Sequence, residues 1–215
     1  MKRTILYIFL IILFFVTSPF AQSDYKIELN GGRISAGIEN KLLPNWDTGW
    51  SMEITASKQL NNEIELTSSF SFQNFKFQAN RIQLVMPAVY PPSYSYSFNG
   101  ENSKVYNFTI GIRIFPSYGK FSTFISFNSG IQYINQGKIY MIWSNPQLKD
   151  PTFLTNSNLY NSSNRNYLVG IFRIGAGLAF NILPKINLIT QGRLATTLKE
   201  FTFYSILSAG VQYSF

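Results

Sequence analysis

Apolar and polar side chains alternate along most of the chain after residue 24. From residue 201 to residue 215, every second side chain is apolar or small, and those between them are mostly polar or glycine. Successive side chains of a β-strand point to opposite faces, so the pattern predicts a strand with one apolar and one polar face. The same alternation appears in seven earlier segments. These are 25–39, 49–57, 63–72, 106–114, 121–133, 166–180 and 186–198.

The connections between the predicted strands differ in length on the two sides. If the first strand runs outward, short turns at 59–62, 116–120 and 181–185 lie on the periplasmic side. The outer side receives the connections 40–45, 78–103, 144–165 and Lys199-Glu200. Short turns on one side and long loops on the other are typical of outer-membrane barrels.

These features predict an all-β fold, an eight-stranded antiparallel up-and-down transmembrane β-barrel. Each predicted strand has about the length that crosses a bilayer when tilted. The alternative is a soluble lipocalin-like barrel or β-sandwich, whose apolar face would point inward. The polar face carries few charges and the apolar face is bulky, which favours the membrane barrel. A change of phase at Gly31-Gly32 predicts a β-bulge in the first strand.

The N-terminus has the pattern of a secretory signal peptide. Lys2 and Arg3 precede an apolar run over 5–16, and small residues follow, with cleavage expected after Ala21 or Ser23. A spanning helix needs about 20 apolar residues, which argues against the alternative of an N-terminal membrane anchor. The predicted organisation is therefore a signal peptide over 1–23 and a barrel over 24–215, located in a bacterial outer membrane.

Composition limits the chemistry available to the protein. Only 13% of the residues are charged, whereas a soluble domain carries roughly 25%. The absence of Cys and His removes thiolate chemistry, the commonest general base and the commonest metal ligand. We therefore expect no enzymatic activity, no cofactor and no metal. The net charge of +8 favours outer-membrane lipid and lipopolysaccharide as partners, and export argues against nucleic acid.

Several charged side chains fall on the face that would line the lumen. An unpaired charge in a narrow interior is costly, so we expect these residues to pair, with at least one arginine reaching Glu53 or Glu65. The expected network consists of Glu53, Glu65, Arg113, Arg173 and Arg193, and the same pattern places Glu28, Arg33 and Glu63 on this face. Eight strands leave room only for side chains or one small ligand, which favours a structural plug over a charged constriction.

The two long outer loops are candidate binding surfaces for a protein or a glycan. Loop 78–103 is rich in Tyr, Pro and Ser, and Tyr gives amphipathic contact area at low entropic cost. Loop 144–165 adds further aromatic and amide side chains. The alternative is that the loops pack on one another or lie at the lipid interface. The candidate surface-binding residues are Tyr90, Tyr94, Tyr96 and Phe98.

The C-terminus carries a family resemblance. Ser208, Gly210, Tyr213 and Phe215 resemble the C-terminal signal of outer-membrane barrels, which implies recognition by the barrel assembly machinery. The chain as a whole resembles, in architecture, the small eight-stranded barrels of the OmpA transmembrane-domain and OmpX type. The resemblance implies a monomeric barrel with a structural role or a recognition role through its outer loops. Two alternatives stay open: a narrow pore or transporter for small solutes, and an accessory subunit of a secretion or assembly complex.

Overall fold

The computed structural model describes residues 25–36, 43, 45–79, 95–116, 119–144, 165–199 and 202–215. The predicted signal peptide, 1–23, lies outside these residues. No helix in the described ranges has the length and hydrophobicity of a membrane span. The strands are β1 (Tyr25–Ala36), β2 (Trp46–Gln59), β3 (Ile64–Phe77), β4 (Ser95–Gly100), β5 (Ser103–Ile114), β6 (Phe121–Asn135), β7 (Ile139–Ser144), β8 (Asn166–Leu183), β9 (Ile186–Thr197) and β10 (Phe203–Ser214).

Eight of these strands form a closed antiparallel barrel, and β1 pairs with β10 to close it. The predicted eight-stranded barrel is confirmed. Starting at Arg33, the paired residue on each successive strand can be followed around the barrel. Through β2, β3, β5 and β6 this path reaches Asn166 of β8. In the other direction the path leads through β10 and β9 to Ala176 of the same strand. The sheet therefore closes with a stagger of ten residues, which corresponds to a strand tilt of about 35–45°.

The apolar face of the barrel points outward. Leu207 is 68% exposed and Leu168 is 69% exposed, whereas Thr109 and Gln73 on the inward face are fully buried. Aromatic Phe203 and Tyr213 of β10 lie ten residues apart on the outward face. At about 3.3 Å per residue and this tilt, the apolar band between them is about 25 Å high, the height of an outer-membrane barrel's belt.

Three predicted details of the lumen-facing pattern are wrong. β1 pairs with β10 without a register shift from Lys26 to Ala36, so there is no bulge at Gly31-Gly32. The alternation continues through the glycines, so Arg33 points outward and is exposed, while Ile34 is buried inside. Glu63 lies in the exposed turn before β3, because the first paired residue of that strand is Ile64.

A second sheet, absent from the predicted fold, contains β4 and β7. These strands pair antiparallel with each other, from Gly100 and Ile139 at the barrel to Ser95 and Ser144 at the far end. β4 precedes β5 and β7 follows β6, so the pair extends the β5–β6 hairpin on its outer side. We call this two-stranded sheet the outer ribbon. It uses part of loop 78–103, and its other strand ends at the start of loop 144–165.

The outward apolar belt makes a specific prediction about Leu207, which lies near the middle of the band. A Leu207→Arg substitution should lower the free energy of unfolding by about 2–4 kcal/mol, because it places a cation among lipid tails. Urea unfolding in lipid vesicles measures this effect, and Leu207→Ala is the control without a charge. An arginine tolerated as well as the alanine would show that this face is not in lipid.

Candidate functional site

The lumen is filled by three layers of side chains. Charged and amide residues occupy the middle, and a small apolar layer of Phe115, Phe124, Ala179 and Ile189 lies toward the periplasmic end. A larger apolar layer closes the outer end. It contains Ile34, Ala36, Leu43, Trp46, Phe75, Val105, Ile134, Ile139, Val169, Ile171, Ala195, Tyr204 and Ile206.

Glu53 of β2 is the shared acceptor of one charged cluster. Arg173 of β8 donates from Nη1 to Glu53 Oε2 at 2.7 Å, and Arg193 of β9 donates from Nη1 to Oε1 at 2.5 Å. Arg173 also donates to the Thr109 hydroxyl. All three charged side chains are nearly fully buried. The carboxylate therefore holds two arginines that lie 120 and 140 residues away in sequence.

Arg113 of β5 is the centre of the second cluster. Its Nη1 donates to Glu28 Oε2 at 2.9 Å and lies 3.6 Å from Glu65 Oε2. Lys26, at the periplasmic end of β1, forms an ion pair with Glu65. Gln191 donates to the remaining oxygen of Glu28 at 3.2 Å. The ion pairs expected between the lumen arginines and Glu53 or Glu65 are thus present.

Lys26 is the one charged member of the described clusters that the sequence analysis did not assign to the lumen. It shares the inward face of β1 with Glu28, two residues further along the strand. The even-numbered residues of β1 face inward, so continuing the alternation from Glu28 back to residue 26 would have placed Lys26 in the lumen. Its side chain is 14% exposed, so it joins the buried clusters to the periplasmic opening.

In the described part of the chain, side chains of the outer apolar layer occupy the mouth of the barrel. Leu43, from the connection between β1 and β2, is buried there beside Phe75 and Tyr204. Gln132 donates to the Tyr204 hydroxyl at 3.0 Å, which satisfies a polar atom at the lower edge of this layer. The cavity lined by these residues measures about 10 Å³, roughly the room that one water molecule requires.

Glu101 fastens the outer ribbon to the barrel rim. Trp46 donates from its indole nitrogen to the Glu101 carbonyl at 2.9 Å, and the Tyr140 hydroxyl donates to Oε1 at 2.9 Å. This hydrogen bond to a carboxylate raises the pKa of Tyr140. Gly137 donates to Ser103 Oγ at 2.9 Å, and a Cβ at Gly137 would lie 2.2 Å from the Glu101 carbonyl oxygen. The close approach of these two segments of the chain therefore requires glycine at this position.

The four aromatic residues predicted to form a binding surface have different positions. Tyr90 and Tyr94 lie outside the described residues. Tyr96 belongs to β4, opposite Trp143 of β7. Phe98 packs, partly buried, against the outer apolar layer and so anchors the ribbon. Part of the Phe98 ring is therefore used in packing where the ribbon meets the barrel, and its role in binding stays a prediction.

The residues of the C-terminal signal lie on the strand that closes the barrel. Ser208 is buried on the inward face, and a Cβ at Gly210 would lie 2.0 Å from the Leu29 carbonyl oxygen of β1. Tyr213 and Phe215 contact edge to face at 5.2 Å between centroids, at the periplasmic end of the outward face. Among the described residues, no group of His, Cys, Asp and Glu could hold a metal ion.

The cluster at Glu53 makes a testable prediction about stability. A Glu53→Gln substitution leaves Arg173 and Arg193 buried without their counter-charge and should cost about 3–5 kcal/mol of unfolding free energy. The urea midpoint in lipid vesicles reports this loss. Glu63→Gln is the matched control, since the same change in an exposed turn should stay within about 0.5 kcal/mol of the unmodified protein. Equal midpoints for the two variants would mean that the arginines do not depend on Glu53.

Solved structures share this architecture. Neisserial surface protein A is 12% identical to the chain, with a TM-score of 0.50 over 89% of this chain and 97% of that one. Ail of Yersinia pestis, solved in complex with the heparin analogue sucrose octasulfate, is 13% identical, with a TM-score of 0.51 over 90% of this chain and 99% of that one. No protein-family model and no curated protein matches the chain. The chain has the fold of the small eight-stranded outer-membrane β-barrels, and its lipid-facing belt places it in that membrane.

Proposed function

We propose that this protein is a non-enzymatic surface-recognition barrel, which binds a protein or a glycan through the outer ribbon. The observation that carries the proposal is the fixed attachment of the ribbon. Hydrogen bonds at Glu101 and the packing of Phe98 and Ile139 hold the base of the ribbon against the barrel rim. A recognition element that is already ordered loses less conformational entropy when its partner binds.

The ribbon also offers a recognised way to bind a partner. It has only two strands in the described part of the chain, so each has an edge whose backbone groups are not paired within the sheet. Such edges can accept an additional strand from another protein, and alternate side chains can then set specificity. The aromatic and hydroxyl side chains of loop 78–103 would supply contacts to a glycan or protein surface.

The contents of the lumen favour recognition over transport. The middle layer pairs its three described carboxylates, Glu28, Glu53 and Glu65, with arginine or lysine. Above this layer the outer apolar side chains fill the mouth. A solute would have to displace ion pairs and packed side chains together, which supports a structural plug.

The composition supports a non-enzymatic role. Without His or Cys, a serine nucleophile would need activation by lysine or a carboxylate. Glu28 and Glu53 already accept hydrogen bonds from arginine side chains, which makes them poor proton acceptors for a reaction. We also propose that the barrel assembly machinery recognises the C-terminal strand through Tyr213 and Phe215, which lie together at its periplasmic end.

The plugged lumen predicts the electrical behaviour of the purified barrel. Reconstituted in planar bilayers, the protein should show no stable open level, since ion-paired and packed side chains occupy the lumen along the described strands. Single-channel recording provides the measurement. A reproducible open level would favour the pore or transporter alternative over recognition.

Replacing the ribbon tests the recognition role directly. A variant with Gly-Ser segments at 95–100 and 139–144 should lose binding to glycan arrays and to arrays of extracellular-matrix proteins, because the ordered strand edges are gone. Cells that display the chain are the test material. The heat-induced mobility shift on gels reports whether the barrel still forms.

Tyr140→Phe combined with Glu101→Gln provides a milder variant that loosens the ribbon and leaves every barrel strand intact. It should reduce binding to the same arrays by less than the replacement does. The control is Glu63→Gln, which removes one charge from the periplasmic turn. Unchanged binding in a folded ribbon-replacement variant would exclude the ribbon as the recognition element.

A further inference from the structure

Four aromatic side chains form a row on the outward face of the barrel, near the outer edge of the apolar band. They lie on four adjacent strands. Along the row, the distances between the centroids of neighbouring rings are 5.2, 5.2 and 6.3 Å. We call this group the aromatic row. It consists of Trp50 of β2, Phe72 of β3, Tyr106 of β5 and Tyr133 of β6.

Three exposed cations lie beside the aromatic row. Lys104 lies two residues beyond Tyr106 toward the outer end of β5, which is roughly 5 Å higher on a tilted strand. Lys76 occupies the neighbouring strand β3, diagonally across from Lys104, and such diagonal neighbours lie about 7–8 Å apart. Arg33 is the cross-strand partner of Trp50.

These cations have no acidic partner within the described structure. The described ion pairs involve Glu28, Glu53 and Glu65, all of them inside the lumen. Two lysines that are diagonal neighbours repel each other, and the repulsion is stronger at the edge of a lipid phase than in open water. The surface therefore favours a ligand that brings negative charge to this height.

The lysines of the opposite rim are arranged differently. Lys58 lies over the Tyr25 ring at 5.4 Å, and Lys120 lies over the Phe180 ring at 5.8 Å. Each of these periplasmic cations is thus positioned on an aromatic face of its own chain. No such contact is described for Arg33, Lys76 or Lys104, so the two rims differ in more than their number of charges.

Asn74 adds a polar group between the cations and the aromatic row. It is the cross-strand partner of both Trp50 and Lys104 on the outward face. Its carboxamide oxygen is buried and has no hydrogen-bond partner in the described structure. A rotation of the half-buried Asn74 side chain would bring this acceptor to the surface, where it suits a ligand that carries hydroxyl groups as well as negative charge.

We propose that Arg33, Lys76, Lys104 and Asn74, together with the aromatic row, bind the phosphorylated glycolipid of the outer leaflet, lipopolysaccharide. Phosphate groups on its sugars meet the cations, a sugar hydroxyl donates to Asn74, and the first carbons of the acyl chains contact the aromatic rings. A simple anionic phospholipid offers charge but fewer hydroxyl groups. The inference concerns the barrel wall and does not depend on recognition by the outer ribbon.

Native mass spectrometry of the full chain in a nonionic detergent tests the proposal, with purified lipid A and phosphatidylglycerol as separate probes. The unmodified protein should retain lipid A at lower added concentrations than phosphatidylglycerol. The double variant Lys76→Gln with Lys104→Gln should bind lipid A about tenfold or more weakly, because juxtamembrane cations contribute additively to attraction of anionic lipid. Asn74→Ala should reduce lipid A binding and leave phosphatidylglycerol binding unchanged.

The matched control is Lys58→Gln with Lys120→Gln, which removes the same charge from the periplasmic rim. It should bind lipid A as the unmodified protein does. An equal loss in both double variants would show that net charge alone attracts the lipid, which overturns the proposal. So would equal affinity for the two lipids, or unchanged lipid A binding in a correctly folded Lys76→Gln, Lys104→Gln variant. The ribbon-replacement variant should still retain lipid A. This outcome would show that lipid binding by the barrel wall does not depend on partner binding by the ribbon.

Discussion

Closure of the sheet is the constraint on which the rest of this structure depends. Inside a bilayer no water is available to pair with backbone N–H and C=O groups, so a sheet can span only if its first and last strands meet. Here β1 pairs with β10 over its whole length. Eight strands with a stagger of ten residues leave a lumen just wide enough for side chains. Everything on the inward face must then pack or pair within that space.

The narrow lumen explains the order of its layers. Arginine and glutamate side chains are long enough to cross it, so charges from β2, β8 and β9 meet at Glu53 and those from β1, β3 and β5 meet at Arg113. Apolar side chains close the outer end, where the ribbon is attached. A plug that is both packed and ion-paired gives the barrel a rigid rim on which to hold an extracellular element.

The membrane likewise determines how side chains are arranged on the outward surface. Its central band contacts lipid tails, and its edges carry aromatic side chains with cations beyond them. At the periplasmic edge the cations lie on rings of the same chain. At the outer edge they remain available to the headgroups of the lipid that surrounds the barrel. We propose that the ribbon binds partners outside the cell and that the barrel wall binds the lipid of its own membrane.

The sequence by itself determined the strands, their outward and inward faces and the presence of charges in the lumen, because a period of two is a local property of the strand. It misplaced Arg33 and Glu63, since one residue of phase at a strand end reverses the face. Tertiary structure alone decided that Arg173 meets Glu53 across 120 residues, that Phe98 packs inward and that β4 pairs with β7. These contacts depend on register and closure, which are set by all strands together and are not encoded in any single segment.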